Sequence, residues 1–180
     1  MAIDIGKDCY VAPTAVLLGT VTLGDRVAIF DHAVLRGDLN EIRVGDDTNI
    51  QDNVSVHVER DNPSIIGPRV SVGHNAIIHG SRIDDTVLVG MGSIVMNRCH
   101  IQRGTVVAAG ALVTEGTVSN ENSLLLGSPA REKMRGDEML MMAEANYKSY
   151  GWLREKYLSD AIDRFPSFDA KLIKGRVHNP

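Results

Sequence analysis

Cysteine is scarce in this sequence, long apolar runs are missing, and basic residues do not outnumber acidic ones. Only two of the 180 residues are cysteine, Cys9 and Cys99. They lie far apart, neither stands in a C-x-x-C spacing, and nothing supports a disulfide, so cysteine-built metal and redox motifs are set aside. No apolar run approaches the roughly 20 residues of a membrane helix. The N-terminal MAIDIGKD lacks the basic and apolar regions of a signal peptide, and the expectation is a cytoplasmic protein with no membrane partner. Lys and Arg number 19 against 23 Asp and Glu, a net charge of -4. That balance argues against nucleic acid as the main partner. What is present is ordinary: 43% hydrophobic and 23% charged residues, in a length that suits one domain with a sizeable core.

The informative feature is a period. Aliphatic residues recur every sixth position at Ile5, Val11, Leu17, Leu23, Ile29 and Leu35, then at Val44, Ile50 and Val56, then at Ile66 and Val72. A five-residue step is expected to lead to Ile77, which opens the series Ile83, Val89, Val95, Ile101, Val107 and Val113. Four residues after each comes a small or β-branched residue almost throughout, such as Ala15, Val27, Thr48, Ser81 and Cys99, with Leu39 as the oversized exception. A period of six fits neither the 3.6 of a helix nor alternating hairpin strands, and a β-sandwich has no reason to keep it this long. It fits a solenoid whose short strands alternate with tight corners, every sixth residue pointing into a narrow interior. Gly6, Gly24, Gly45, Gly67, Gly73 and Gly90 are expected to supply unusual corner angles. Cys9 and Cys99 fall on inward small positions, which predicts buried, inert thiols.

This pattern resembles the hexapeptide-repeat family. The resemblance implies a mainly β fold, a single-stranded left-handed parallel β-helix of about six coils, over residues 1–131. A C-terminal helix and tail, 132–180, are expected to pack on it as part of one structural domain. The segment GSPAR, Gly127 to Arg131, resembles the family's exit from the coils. Asp137 is placed as the helix cap. Leu140, Ala143, Tyr147 and Tyr150 form one stripe of a helix from about Asp137 to Tyr150, extending toward Tyr157 across an interruption at Gly151. Beyond Phe165 an irregular tail is expected.

The repeat serves as a ruler for the histidines. Units three apart share a face on neighbouring coils, which puts His57 and His79 on one face, one coil apart. Adjacent strands stand about 4.8 Å apart, close enough for two imidazoles to hold one metal. His74 falls on a different face. A symmetric trimer solves the geometry: one subunit's His57 and His79 would meet the next subunit's His74, giving three shared sites. Arg36 shares the face of His57 and Gln51 that of His74. His32, His100 and His178 lack such company and are read as solvated or structural.

With these residues placed, the segments RGDLNEIRVGDDTNIQDNVSVHV, GHNAIIHG, VGMGSIV and VVAAGALV resemble those of γ-class carbonic anhydrases, from about residue 5 to residue 131. The resemblance implies zinc or ferrous iron bound by His57 and His79 of one subunit and His74 of its neighbour in a homotrimer, with CO2 and bicarbonate as substrates. It implies that Arg36, Asp38 and Asp52 make interface salt bridges, Arg36 also approaching bicarbonate. Asn49 and Gln51 would orient a water on the metal, and Tyr147 would reach the rim of the site. Each has a plainer reading beside it: Arg36, Asp38 and Asp52 as assembly contacts, Asn49 and Gln51 as partners of corner backbone groups, Tyr147 as helix packing. The sequence departs from the family prototype in carrying Leu39 where an acidic residue is expected, and the short VERDNPS, with Glu59, where the proton-shuttling loop stands. Metal-dependent thioesterase, non-catalytic assembly protein and hexapeptide acyltransferase are the competing functions; the acyltransferase has no need of three clustered histidines.

Overall fold

The structure, a computed structural model, describes residues 1–162; the expected tail and His178 lie outside the described residues. The chain winds as a left-handed parallel β-helix with three faces. One face stacks Tyr10–Val11, Ala28–Ile29, Asn49–Ile50, Ser71–Val72, Leu88–Val89, Val106–Val107 and Ser123–Gly127, seven parallel rungs where about six were expected. The long strands Val16–Leu23 and Val34–Val44 bend around a corner and join the other two faces into one sheet. The series runs past Thr117: Ser123–Gly127 adds a rung, with Leu125 buried. Ala130–Arg135 then pairs back on it antiparallel, so the segment expected to be a simple exit is a hairpin that closes the solenoid.

Six-residue spacing produces this shape because each coil spends three short strands and three turns per circuit, so one aliphatic side chain per strand points to the axis. Ile29, Leu35, Ile50, Ile66, Val89 and Ile101 are all fully buried there. The ruler needs one correction. Ile78, not Ile77, points inward: Ile78 is 0% exposed and Ile77 38%. The five-residue step falls between Ile78 and Ile83, because the chain shortens at the corner through Gly80.

The glycines also work differently from expectation. The left-handed corner conformation is taken mostly by other residues, among them Arg26 (φ 56), Asp47 (φ 58) and Arg69 (φ 56). Gly24 and Gly45 are needed for close approach of the coils instead. A Cβ on Gly45 would stand 2.5 Å from the backbone nitrogen of Pro68 in the next coil. Both thiols are free; burial of Cys99 and the half-burial of Cys9 push them above the ordinary value, as expected of inert thiols.

Helix α1, Asp137–Leu158, runs unbroken through Gly151. Its packing on the solenoid outweighs the propensity cost of one glycine, about 1 kcal/mol. Gly136 rather than Asp137 occupies the cap; Asp137 sits in the first turn, where its charge complements the helix dipole. The helix lies on the seven-rung face. Phe30 meets Tyr150 and Tyr157 edge-on at 5.6 Å, and Tyr10 lies 4.8 Å from Tyr157. Arg154, almost wholly buried, donates from Nη1 to the carbonyl of Arg26 at 2.7 Å. Among the described residues no helix is long and apolar enough to cross a membrane.

Candidate metal centre

The strand Val34–Val44 pairs with Val16–Leu23 in register as far as Gly19 opposite Gly37, and resumes with Thr20 opposite Glu41. The three residues between, Asp38, Leu39 and Asn40, loop out of the ladder, as extra residues in a strand must. This bulge carries Asp38 over the face that holds Arg36, His57 and His79 as successive rungs. The Asp38 carboxylate accepts from Arg36 Nη1 at 2.6 Å and lies 3.0 Å from His57 Nε2. The Arg36 guanidinium, and after it His57, hold its pKa down at about 2.

On the same face His57 Nδ1 stands 3.0 Å from His79 Nε2. Beyond it, His79 Nδ1 is 2.5 Å from Asn97 Oδ1, and Asn97 Nδ2 donates to Glu59 at 3.4 Å. An amide oxygen only accepts, so His79 carries its proton on Nδ1 and turns the Nε2 lone pair toward His57. Two nitrogens bound to a single tetrahedral zinc stand about 3.3 Å apart, close to the separation of the observed pair.

His74 occupies the corner after Ser71–Val72, off that face, as the ruler expected. Its Nδ1 is 2.8 Å from Asp52, and its Nε2 is 3.2 Å from the hydroxyl of Tyr150. Donation of Nδ1–H to Asp52 leaves the Nε2 lone pair to accept from the Tyr150 hydroxyl; a carboxylate on the far nitrogen is the arrangement by which metal-binding histidines are oriented. Gln51 accepts the His74 backbone N–H at 3.2 Å and donates to Asn49 at 3.1 Å; Asn49 donates to Ser71 at 2.8 Å. Both amides are buried and serve as braces of the His74 corner. Among the described residues, no group of three or more His, Cys, Asp or Glu in one chain could hold a metal.

The structure therefore gathers Arg36, Asp38, His57 and His79 on one face, and Asn49, Gln51, Asp52 and His74 at the corner beside it. Tyr147 is half-buried, with the Lys148 ammonium 5.8 Å from its ring centre, whereas Tyr150 is the helix tyrosine that touches a histidine. Burial pushes the Tyr150 phenol above its usual value. Asn97 was missed from the sequence, and its spacing carries no signal. His100 pairs with Asp84 at 2.7 Å, and exposed His32 sits on the His74 corner stack two coils away.

A left-handed β-helix with stacked imidazoles on one face and a carboxylate-oriented imidazole at a corner defines a hexapeptide-repeat protein. Comparisons with known proteins agree. No model of a known protein family matches the chain. It is 45% identical over 127 residues to the "Probable carbonic anhydrase" of Methanocaldococcus jannaschii, covering 71% of this chain and 80% of that protein. It is 35% identical over 175 residues to "Gamma carbonic anhydrase 2, mitochondrial" of Arabidopsis thaliana, covering 93% of this chain but 63% of the longer relative. Among solved structures, a "hexapeptide transferase family protein" from Anaplasma phagocytophilum superposes with a TM-score of 0.82 at 35% identity, covering 86% of this chain and 92% of that one. The chain belongs to the γ-class carbonic anhydrase family.

Proposed function

We propose that this protein is a metal-dependent carbonic anhydrase, converting CO2 and water to bicarbonate and a proton at sites shared between the subunits of a homotrimer. The ligands are His57 and His79 of one subunit and His74 of the next. The observation that carries this reading is the pairing of His57 and His79 at 3.0 Å while His74, oriented by Asp52, turns Nε2 away on another face. Zinc or ferrous iron on three imidazoles would make water ionise near pH 7, the effect for which carbonic anhydrase is the standard example. The chain's own residues do the rest. Gln51, fixed by Asn49, accepts the His74 backbone N–H and so holds the corner that carries the third ligand. Arg36, beside the anionic Asp38, offers the cation for bicarbonate. Glu59, bonded to Asn97, is the carboxylate through which a proton leaves the His79 side. Tyr150 must release His74 Nε2 when the metal is taken up.

The test is CO2 hydration by stopped flow on protein loaded in parallel with zinc and with ferrous iron, with metal content measured on the same samples. Activity in one loaded form, and loss of both metal and activity in His74→Ala, is the expected result. Full metal content with no hydration would move the function to thioester hydrolysis or assembly. No metal uptake would end the reading, and with it the argument against an acyltransferase.

A further inference from the structure

Between α1 and the seven-rung face lies a cavity of about 500 Å³, a size typical of sites for small organic molecules. Leu88, Val106, Leu124 and Met142 give it an apolar wall, and Gln51, His74 and Tyr150 stand at its polar end. Among the described residues, no Lys, Arg, Asp or Glu lines it. Neither CO2 nor bicarbonate matches this volume: the first fills a small part of it, and the second meets no cation there. Asn146, on the helix side of the wall, has its Oδ1 buried with no hydrogen-bond partner among the described residues. A buried acceptor left unpaired costs stability, and native structures tolerate few of them. The amide torsion is soft, so a small rotation presents this oxygen to an occupant that brings a donor.

We propose that this cavity is a binding site for a neutral, linear aliphatic molecule bearing an amide N–H donor, the chain lying on the Leu88–Val106–Leu124 wall and one N–H donating to Asn146 Oδ1. Neutrality follows from the uncharged lining. The donor follows from the unpaired acceptor. A chain of several carbons follows from the volume and the apolar wall. The cavity adjoins the His74 corner of the proposed hydration site, but the chain and its N–H are held by the apolar wall and Asn146 and need no metal.

The probes are hexanamide and its donor-free analogue N,N-dimethylhexanamide, titrated by ligand-observed NMR into the full chain stripped of metal. Hexanamide is expected to saturate and the analogue to bind roughly tenfold more weakly, the worth of one hydrogen bond to a buried acceptor. In Asn146→Leu the two should bind alike; in Ala108→Phe, which fills the cavity, neither should bind, with circular dichroism confirming that each variant is folded. Equal binding of both amides to the unaltered protein overturns the proposal without recourse to a variant. So does discrimination that survives in Asn146→Leu, or binding that occurs only after zinc is added, which would put the ligand on the metal. Loss of hydration activity with amide binding intact would instead count against the metal reading alone.

Discussion

Asn97 holds His79 in the tautomer that turns Nε2 toward His57, and it does so from a corner where Gly80 leaves room. A Cβ on Gly80 would stand 2.8 Å from the Asn97 side-chain oxygen. Removing such an orienting partner usually costs 10–100-fold in metal affinity. Asn97→Ala is therefore expected to weaken zinc binding by about that factor while leaving the protein folded, as competition with a chelating dye would show. Unchanged affinity would mean that His79 needs no orientation from Asn97. The sequence placed the three histidines well, because their faces follow from counting alone. The resemblance put Tyr147 at the rim of the site, whereas the structure puts Tyr150, three residues on along the same helical stripe, against His74. The difference depends on how far α1 is rotated, which Phe30, Tyr10 and Tyr157 decide from the solenoid.

At the scale of elements, the ambiguity in the ruler had a simple cause. Ile77 and Ile78 are both aliphatic, and only the corner through Gly80 decides which one turns inward. The correction brings His79 directly opposite His57, the relation that His57 already has to Arg36. The helix was legible in extent but not in its attachment. Arg26, on a corner, donates to Asp47 at 2.8 Å, and buried Arg154 of α1 stands 3.9 Å from the same carboxylate. Arg26 first, then Arg154 among the more distant charges, holds the Asp47 carboxyl below its ordinary value, against the opposing effect of its partial burial. A depressed folded value means that the ionised form is favoured by folding. The stabilisation is complete above the unfolded value of about 3.9 and is lost as pH falls through the lower folded value. Asp47→Asn should thus lower the melting temperature at pH 7 and flatten its fall between pH 5 and pH 2. An acid limb as steep as before would assign it to other carboxylates.

At the scale of the whole molecule, the proposed trimer would tie metal to assembly. On the face of His57 and His79, Leu18, Ile77, Ile94 and Met96 stay exposed, four large apolar side chains beside the histidines. Water should not remain on such a face when a partner surface is available. The proposed trimer would cover it with the next subunit's His74 corner, a heterologous contact closed by three-fold symmetry. The solenoid itself gives no reason for either feature. Its core is complete within one chain, and the imidazoles add nothing to the stacking of coils. Both features have one explanation if the site is built only by association, and the two properties should then fail together. Ile94→Glu places a charge in the middle of the apolar stripe without touching a histidine, and Ile94 is exposed, so the β-helix of each chain should survive. Sedimentation should show the trimer replaced by monomer, and the same sample should have lost its zinc, although all three histidines remain. A monomer that kept stoichiometric metal would show that one chain completes the site alone, and the shared geometry would have to be given up.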